Sequence, residues 1–276
     1  MKSVEKLVLD EERALYGIKN IKVNECIFDG PSDGESALKE CRNIVVDNCT
    51  FALRYPLWHI TGAEIKNSEM KETCRAPLWY SKKLNIQNCK ISGIKALREC
   101  RNISVLSSQI ISSEFGWMCK RVSLTDTFLK GEYPFFQSRD LTFENFSLKG
   151  KYSFQYVKNV TVKNSVLDTK DAFWHAKNVT VEDSVIKGEY LGWYSENLHL
   201  IRCRIEGTQP LCYAKGLILE DCEMTGCDLS FERSHVNATV MGNIESVKNP
   251  LSGLISADSY GEIILDGDVK SKCVIK

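Results

Sequence analysis

The chain has 276 residues, 43% of them hydrophobic and 26% charged, with 36 basic and 36 acidic side chains. A formal net charge of zero removes any global electrostatic case for nucleic acid or an anionic membrane surface as partner. No stretch approaches the roughly 18 apolar residues of a membrane span, and the opening MKSVEKLVLDEER lacks a signal-peptide core, so a cytoplasmic protein without membrane association is expected.

Residues 1–17 break the pattern that follows and are expected to cap it. From residue 18 to 243 the chain repeats itself, as CRNIVVDNCTF (41–51), VKNVTVKNSVL (157–167), AKNVTVEDSVI (176–186) and SENLHLIRCRI (195–205) show. Equivalent positions are Asn43, Gly62, Lys83, Asn102, Arg121, Asp140, Asn159, Asn178, Asn197, Gly216 and His235. The intervals between them are 19, then 21, then 19 throughout. A strict period of this length is the mark of a solenoid, whose turns stack one on the next. Residues 244–276 leave the period and are expected to form a C-terminal cap with one last strand, all within a single domain.

Within a turn the clearest element is a strand of alternating character, with Ile44 and Val46, Val160 and Val162, or Val179 and Val181 facing inward. A polar corner follows at Asn48, Asn67, Asn88, Asn145, Asn164, Asp183 and Asp221, residue types that tolerate tight bends. Next comes a short inward pair such as Cys49 with Phe51. A glycine turn (Gly93, Gly131, Gly150, Gly188, Gly207, Gly226) leads to a third short strand that holds the tryptophans. Abundant β-branched residues and missing helix caps exclude a helical solenoid. The expected fold is all-β: a single-stranded right-handed parallel β-helix of about 19 residues per turn and roughly 11–12 turns. The handedness follows from crossover statistics and from the lack of a six-residue apolar period.

The 12 cysteines fit the same frame. Cys26, Cys49, Cys89, Cys203 and Cys222 share a column with Ser68, Ser108, Ser165 and Ser184, and Cys41, Cys100 and Cys119 share another with Ser81, Ser138, Ala176 and Ala214. Interchange with Ser and Ala marks a small side chain inside the coil. No C-x-x-C pair occurs, so no metal and no cofactor are expected. Cys74, Cys227 and Cys273 lie outside these columns, where an isolated reactive thiol stays open.

GESALKE (34–40), RYPLWH (54–59), CRAPLWYS (74–81), KDAFWHAKNVTVEDS (170–184), GEYLGWYS (188–195), QPLCY (209–213), DLSFE (228–232) and SVKNPLSG (246–253) together resemble a bacterial family of uncharacterised β-helix proteins, known as a domain of unknown function. The resemblance spans nearly the whole chain. It implies the right-handed pectin-lyase-like fold and brings no reaction, cofactor or catalytic residue. Such a fold suggests polysaccharide chemistry, but fold alone does not give function. A β-helix glycosidase needs carboxylates about 5–10 Å apart, and its usual adjacent Asp pair is missing here, as is the Arg-x-Pro-x-x-Arg pattern of a pectate lyase.

Stacking makes residues 19 apart neighbours, so columns of the repeat become stripes of surface. Trp58, Trp79, Trp117, Trp174 and Trp193 share one column. Strict alternation with the small Cys/Ser/Ala column points most of them inward, against the rival view of a sugar-stacking platform. The neighbouring column of Leu57, Leu78, Leu97, Phe135, Phe154, Phe173 and Leu211 is apolar as well, which leaves open that one of the two columns turns outward or that a corner separates them. With the tryptophans inward, the column one residue after them faces out: His59, Tyr80, Glu99, Tyr156, His175, Tyr194, Tyr213 and Glu232. Such a stripe can stack and hydrogen-bond with a ligand, although an ordinary half-exposed strand face also favours Tyr. Beside it runs a charged ridge that includes Arg75, Asp171 and Glu189. Were the protein an enzyme, Glu99, His175, Asp171, Glu189 and Arg75 are the candidate catalytic residues, with Asp171 and Glu189 on adjacent turns close enough for one to raise the other's pKa. The leading expectation is a non-catalytic binding or scaffold module with a saccharide or protein partner. A carbohydrate-active enzyme and a self-assembling element, paired through a side face or coil end, are the alternatives.

Overall fold

The computed structural model describes residues 2–267 and 269–276. Contacts group the chain into two compact units, Met1–Asp140 and Leu141–Lys276, and each is a parallel β-solenoid. In the first unit a six-residue strand and a shorter one recur in each coil: Arg42–Asp47 with Thr50–Phe51, Thr61–Lys66 with Glu69–Met70, Lys82–Gln87 with Lys90–Ser92. The second unit repeats the arrangement with Lys158–Lys163 and Val166–Lys170, then Lys177–Glu182 and Val185–Lys187. Val45 pairs with Glu64 and Thr161 with Thr180, each 19 residues on, so the sequence period is the register of the sheet. Ile44, Val46, Val160, Val162, Val179 and Val181 are all buried, as alternation in a strand requires.

The corners explain the residue types found there. Asn48, Asn67 and Asp183 lie at φ near +53°, +50° and +50°, and Asn43, Asn159 and Asn178 at +51°, +57° and +56°. Asn and Asp adopt this left-handed conformation more readily than other residues with a side chain. The second set also links coils through its side chains: Asn178 donates to Asn159 at 3.1 Å and Asn197 to Asn178 at 3.0 Å. Gly207 (φ +130°) meets a different demand, since a Cβ there would stand 2.3 Å from the Gly188 carbonyl of the coil below.

The small columns do more than fill space. The hydroxyls of Ser68, Ser108 and Ser184 each accept the backbone N–H of a neighbouring coil, from Cys49, Cys89 and Ser165, at 3.0 Å. Cys49 accepts the N–H of Cys26 at 3.4 Å in the same way. Ser and Cys interchange because each offers a compact acceptor where the corner withdraws the backbone one.

Three expectations need correction. The third side of each coil is a run of tight turns and no strand: Tyr55, Leu57 and His59 stand at φ +58°, +61° and +57°. Alternation of side chains belongs to extended backbone and fails when every second residue is left-handed. Leu57, Leu78, Leu97, Phe135, Phe154, Phe173 and Leu211 therefore fill the interior, and the tryptophans stand half-buried outside them rather than inward. The second correction concerns the ends. Lys2–Glu5 and Val8–Leu9 pair in coil register with Lys19–Asn24 and Ile27–Phe28, and His235–Lys248, Ser252–Ile264 and Lys272–Ile275 continue the parallel pairing. Among the described residues the coils number about 14 rather than 11–12. The third is a slip of register at Glu232, taken up below.

Candidate functional site

Each tryptophan is fixed by its ring nitrogen. Trp58, Trp79, Trp117, Trp174 and Trp193 donate from Nε1 to the carbonyls of Ala76, Lys95, Tyr133, Tyr190 and Gln209 in the following coil, at 2.5–3.2 Å. The indoles also stack: Trp58 on Trp79 at 5.0 Å and 4°, and Trp174 on Trp193 at 5.7 Å and 6°. In the first unit the column is completed by a cation, the Arg98 guanidinium lying 4.7 Å from the Trp79 ring and 4.6 Å from that of Trp117. Arg98 is further bound to Glu114 at 2.8 Å, and its buried Nε has no hydrogen-bond partner among the described residues.

The next column forms the candidate site. In the second unit Tyr156, His175, Tyr194 and Tyr213 stack at 5.0, 5.0 and 4.9 Å with interplanar angles of 10°, 9° and 13°. His59 and Tyr80 make a shorter pair in the first unit, at 4.9 Å and 17°. All these residues have positive φ, from +50° at His175 to +59° at Tyr213, which carries their side chains outward beside the half-buried indoles. Tyr156 is 45% and Tyr194 42% exposed. Rings whose centres are 5.0 Å apart touch only when tilted about 45° to the line of centres, given carbon contacts of roughly 3.5 Å. The rings therefore overlap as roof tiles, each showing solvent an edge and part of one face. The indoles lean the other way, since Trp174 meets Tyr194 at 84° and Trp193 meets Tyr213 at 69°.

The sequence matches, across residues 2–276, the family described as "Protein of unknown function (DUF3737)". The chain belongs to that family. Curated proteins yield no match. Among solved structures the chain is similar to the A-module of the mannuronan C-5 epimerase AlgE6 of Azotobacter vinelandii, with 9% identity and TM-score 0.35 over 99% of this chain and 87% of that one. It is also similar to PfbA, a surface adhesin of Streptococcus pneumoniae (14%, TM-score 0.37, 87% and 74%), and to the catalytic domain of a GH87 α-1,3-glucanase (8%, 0.37, 100% and 64%). At such scores these likenesses carry no argument about activity.

The remaining candidates in this DUF3737 chain are dispersed. Glu232 does not join the stripe: Tyr213 bonds its carbonyl just as Tyr194 bonds that of Cys212, which places Glu232 in the tryptophan column and Arg233 (φ +52°) after Tyr213. The cause is one extra residue in that coil. Glu232 instead holds Lys248 at 3.2 Å, and its charge, behind burial, helps hold the Tyr213 phenol above its ordinary pKa. Glu189 is bound by Lys170 at 3.3 Å, so Lys170 and not Asp171 is its register partner. Asp171, 7% exposed, is raised above the usual carboxylate value chiefly by burial; the Lys170 charge opposes this and that of Glu189 adds to it. Glu99 and Arg75 belong to the first unit, Glu99 exposed beside Arg98 and Arg75 at a turn of its own. Among the described residues no group of three His, Cys, Asp or Glu side chains is placed to hold a metal. What the ladder offers chemically is a row of tilted aromatic faces with polar tips, for the Tyr194 and Tyr213 hydroxyls and the His175 ring make no side-chain hydrogen bond among the described residues. Sequence reasoning missed Arg98, whose signal was a cation in an aromatic column.

Proposed function

We propose that this protein is a binding module that holds a saccharide chain laid along the Tyr156–His175–Tyr194–Tyr213 ladder. The observation that carries the reading is the ladder itself: four aromatic rings in unbroken succession, open to solvent, with hydroxyl and imidazole groups at a pitch near 5 Å. A sugar ring presents C–H groups on its faces and hydroxyls at its rim, which suit a tilted aromatic face and a polar tip respectively. The pitch is close to the length of one sugar unit in an extended polysaccharide. Binding is favoured over catalysis because the carboxylates that sense the ladder are engaged, Glu196 beside His175 by Lys177 at 2.8 Å and Glu232 beside Tyr213 by Lys248 at 3.2 Å.

A panel of neutral and acidic oligosaccharides titrated against the intrinsic fluorescence tests this, since the Trp174 and Trp193 rings lie 6.4 and 5.4 Å from ladder rings. Tyr194→Ala is expected to weaken binding about tenfold and Tyr194→Phe a few-fold, from loss of a stacking face and of one hydrogen bond respectively. A panel with no saturable response, or affinities unchanged in both variants, would remove the saccharide reading.

A further inference from the structure

The one interval of 21 residues builds a second candidate site, in the first unit. Ile65 pairs with Ile86, 21 residues on, whereas Ile86 pairs with Val105 at the regular 19. The two surplus residues are taken up by a 3-10 turn, Glu72–Cys74, which ends on Arg75 at φ +55° and ψ −61°. There the N–H of Ala76 bonds the carbonyl of Cys74 at 2.6 Å, closing a three-residue ring around Arg75. This is the rare, strained hand of the γ-turn, and a residue with a side chain held in so sparse a region costs on the order of 1–3 kcal/mol.

The surroundings hold it in place. Cys74 is buried with its thiol on the Phe51 carbonyl at 3.1 Å. The carbonyl of Arg75 accepts the Lys95 N–H at 2.9 Å. Gly93 passes beneath, where a Cβ would come within 3.1 Å of that same carbonyl.

The turn sets Arg75, exposed, at the rim of a cleft of about 170 Å³ lined by Tyr55, Arg75, Ala76, Trp79, Ile94 and Lys95. Its walls are apolar and aromatic, and its lining holds two cations and no carboxylate. The Lys95 amine is 3.6 Å from Glu114, a carboxylate that Arg98 already engages at 2.8 Å. Arg75 itself makes no side-chain hydrogen bond or ion pair among the described residues. An unpaired guanidinium offers a rigid fork matched to a carboxylate. The volume is well below the roughly 300–1,000 Å³ of drug-sized sites and suits a single ring.

We propose that this cleft binds a small ring-bearing carboxylate, its carboxylate on the Arg75 fork and its ring against Ile94 and the edge of Trp79. The proposal stands apart from the saccharide ladder and does not depend on it. Benzoate and glucuronate are the ligands to titrate against the full chain by saturation-transfer NMR and calorimetry, with benzamide and glucose as uncharged counterparts. At least one acid is expected to bind saturably, about tenfold more weakly to Arg75→Gln, and less weakened by Arg75→Lys, which keeps the charge but loses the fork. Ile94→Asp, a change at an exposed wall residue outside the strained turn, is expected to repel the acid and serves if Arg75→Gln proves unstable. Benzoate alone binding identifies an apolar-bodied acid, and glucuronate alone a sugar acid. Neither acid binding at tens of millimolar, uncharged counterparts binding equally, or affinities indifferent to Arg75→Gln and Ile94→Asp would each overturn the proposal.

Discussion

Replacing Arg98 by Ala is expected to destabilise the protein by about 3 kcal/mol, two-thirds of it from the indoles on either side. The guanidinium lies 4.7 and 4.6 Å from the Trp79 and Trp117 rings, and its side chain is only 16% exposed. At a mostly desolvated position each cation–π face contributes about 1 kcal/mol. The bond to Glu114, itself 22% exposed, adds about 1 kcal/mol, at the low end for a charge-assisted hydrogen bond because Lys95 stays 3.6 Å from the same carboxylate. Arg98→Met keeps an unbranched stem between the rings without the charge and should recover about 1 kcal/mol of the loss. Arg98→Trp should stay within about 1 kcal/mol of the parent, since it extends the stack already formed by Trp58 and Trp79. Guanidinium unfolding followed by tryptophan fluorescence and by far-UV dichroism measures all three, with coincident curves required before a single free energy is taken from a repeat protein. An Arg98→Ala protein within about 0.5 kcal/mol of the parent, the range of an ordinary surface change, would refute the reasoning. Arg98→Met matching the parent would show that packing and not charge holds the column.

Two further outcomes follow from the buried titratable groups. A carboxyl whose pKa is raised on folding binds its proton more tightly in the native state, so its stabilisation is complete below the unfolded value and is lost as pH rises through the folded one. Asp171→Asn should therefore raise Tm at pH 7 and lose that advantage as the pH falls toward about 4, the unfolded value for Asp; a Tm difference that is flat in pH would deny that burial of the charge is the cost. Burial pushes the Cys74 and Cys227 thiols up to about 12 and those of Cys41 and Cys49 up to about 11, and Cys273 alone among the 12 cysteines is not fully buried. Native protein at pH 7.5 is expected to release close to one equivalent of chromophore from a thiol-specific disulfide reagent, with the rest appearing only on denaturation, and several rapidly reacting thiols would contradict the packing.

The period alone determined the parallel coils, the inward pairs such as Ile44 with Val46, the small Cys/Ser columns and the alignment of the His and Tyr residues in one column. These follow from sequence because strands impose a side-chain period of two and stacking imposes a fixed register, and neither needs knowledge of distant contacts. The tertiary structure decided what those rules do not cover. Left-handed residues at Tyr55, Leu57 and His59 abolish alternation on the third side, so Leu57 went inside and Trp58 stayed outside, a choice that depends on backbone angles no residue type there announces. A single extra residue moved Glu232 out of the stripe, and its compensation lies in the corner that follows, where Leu217 pairs with Val236 at the regular spacing. Arg98 found its place only because Trp79 and Trp117 arrive from neighbouring coils to sandwich it. The interval of 21 was plain in the sequence, but its conversion into a strained turn beside an unpaired guanidinium required the coils above and below to hold the backbone where an isolated segment would relax.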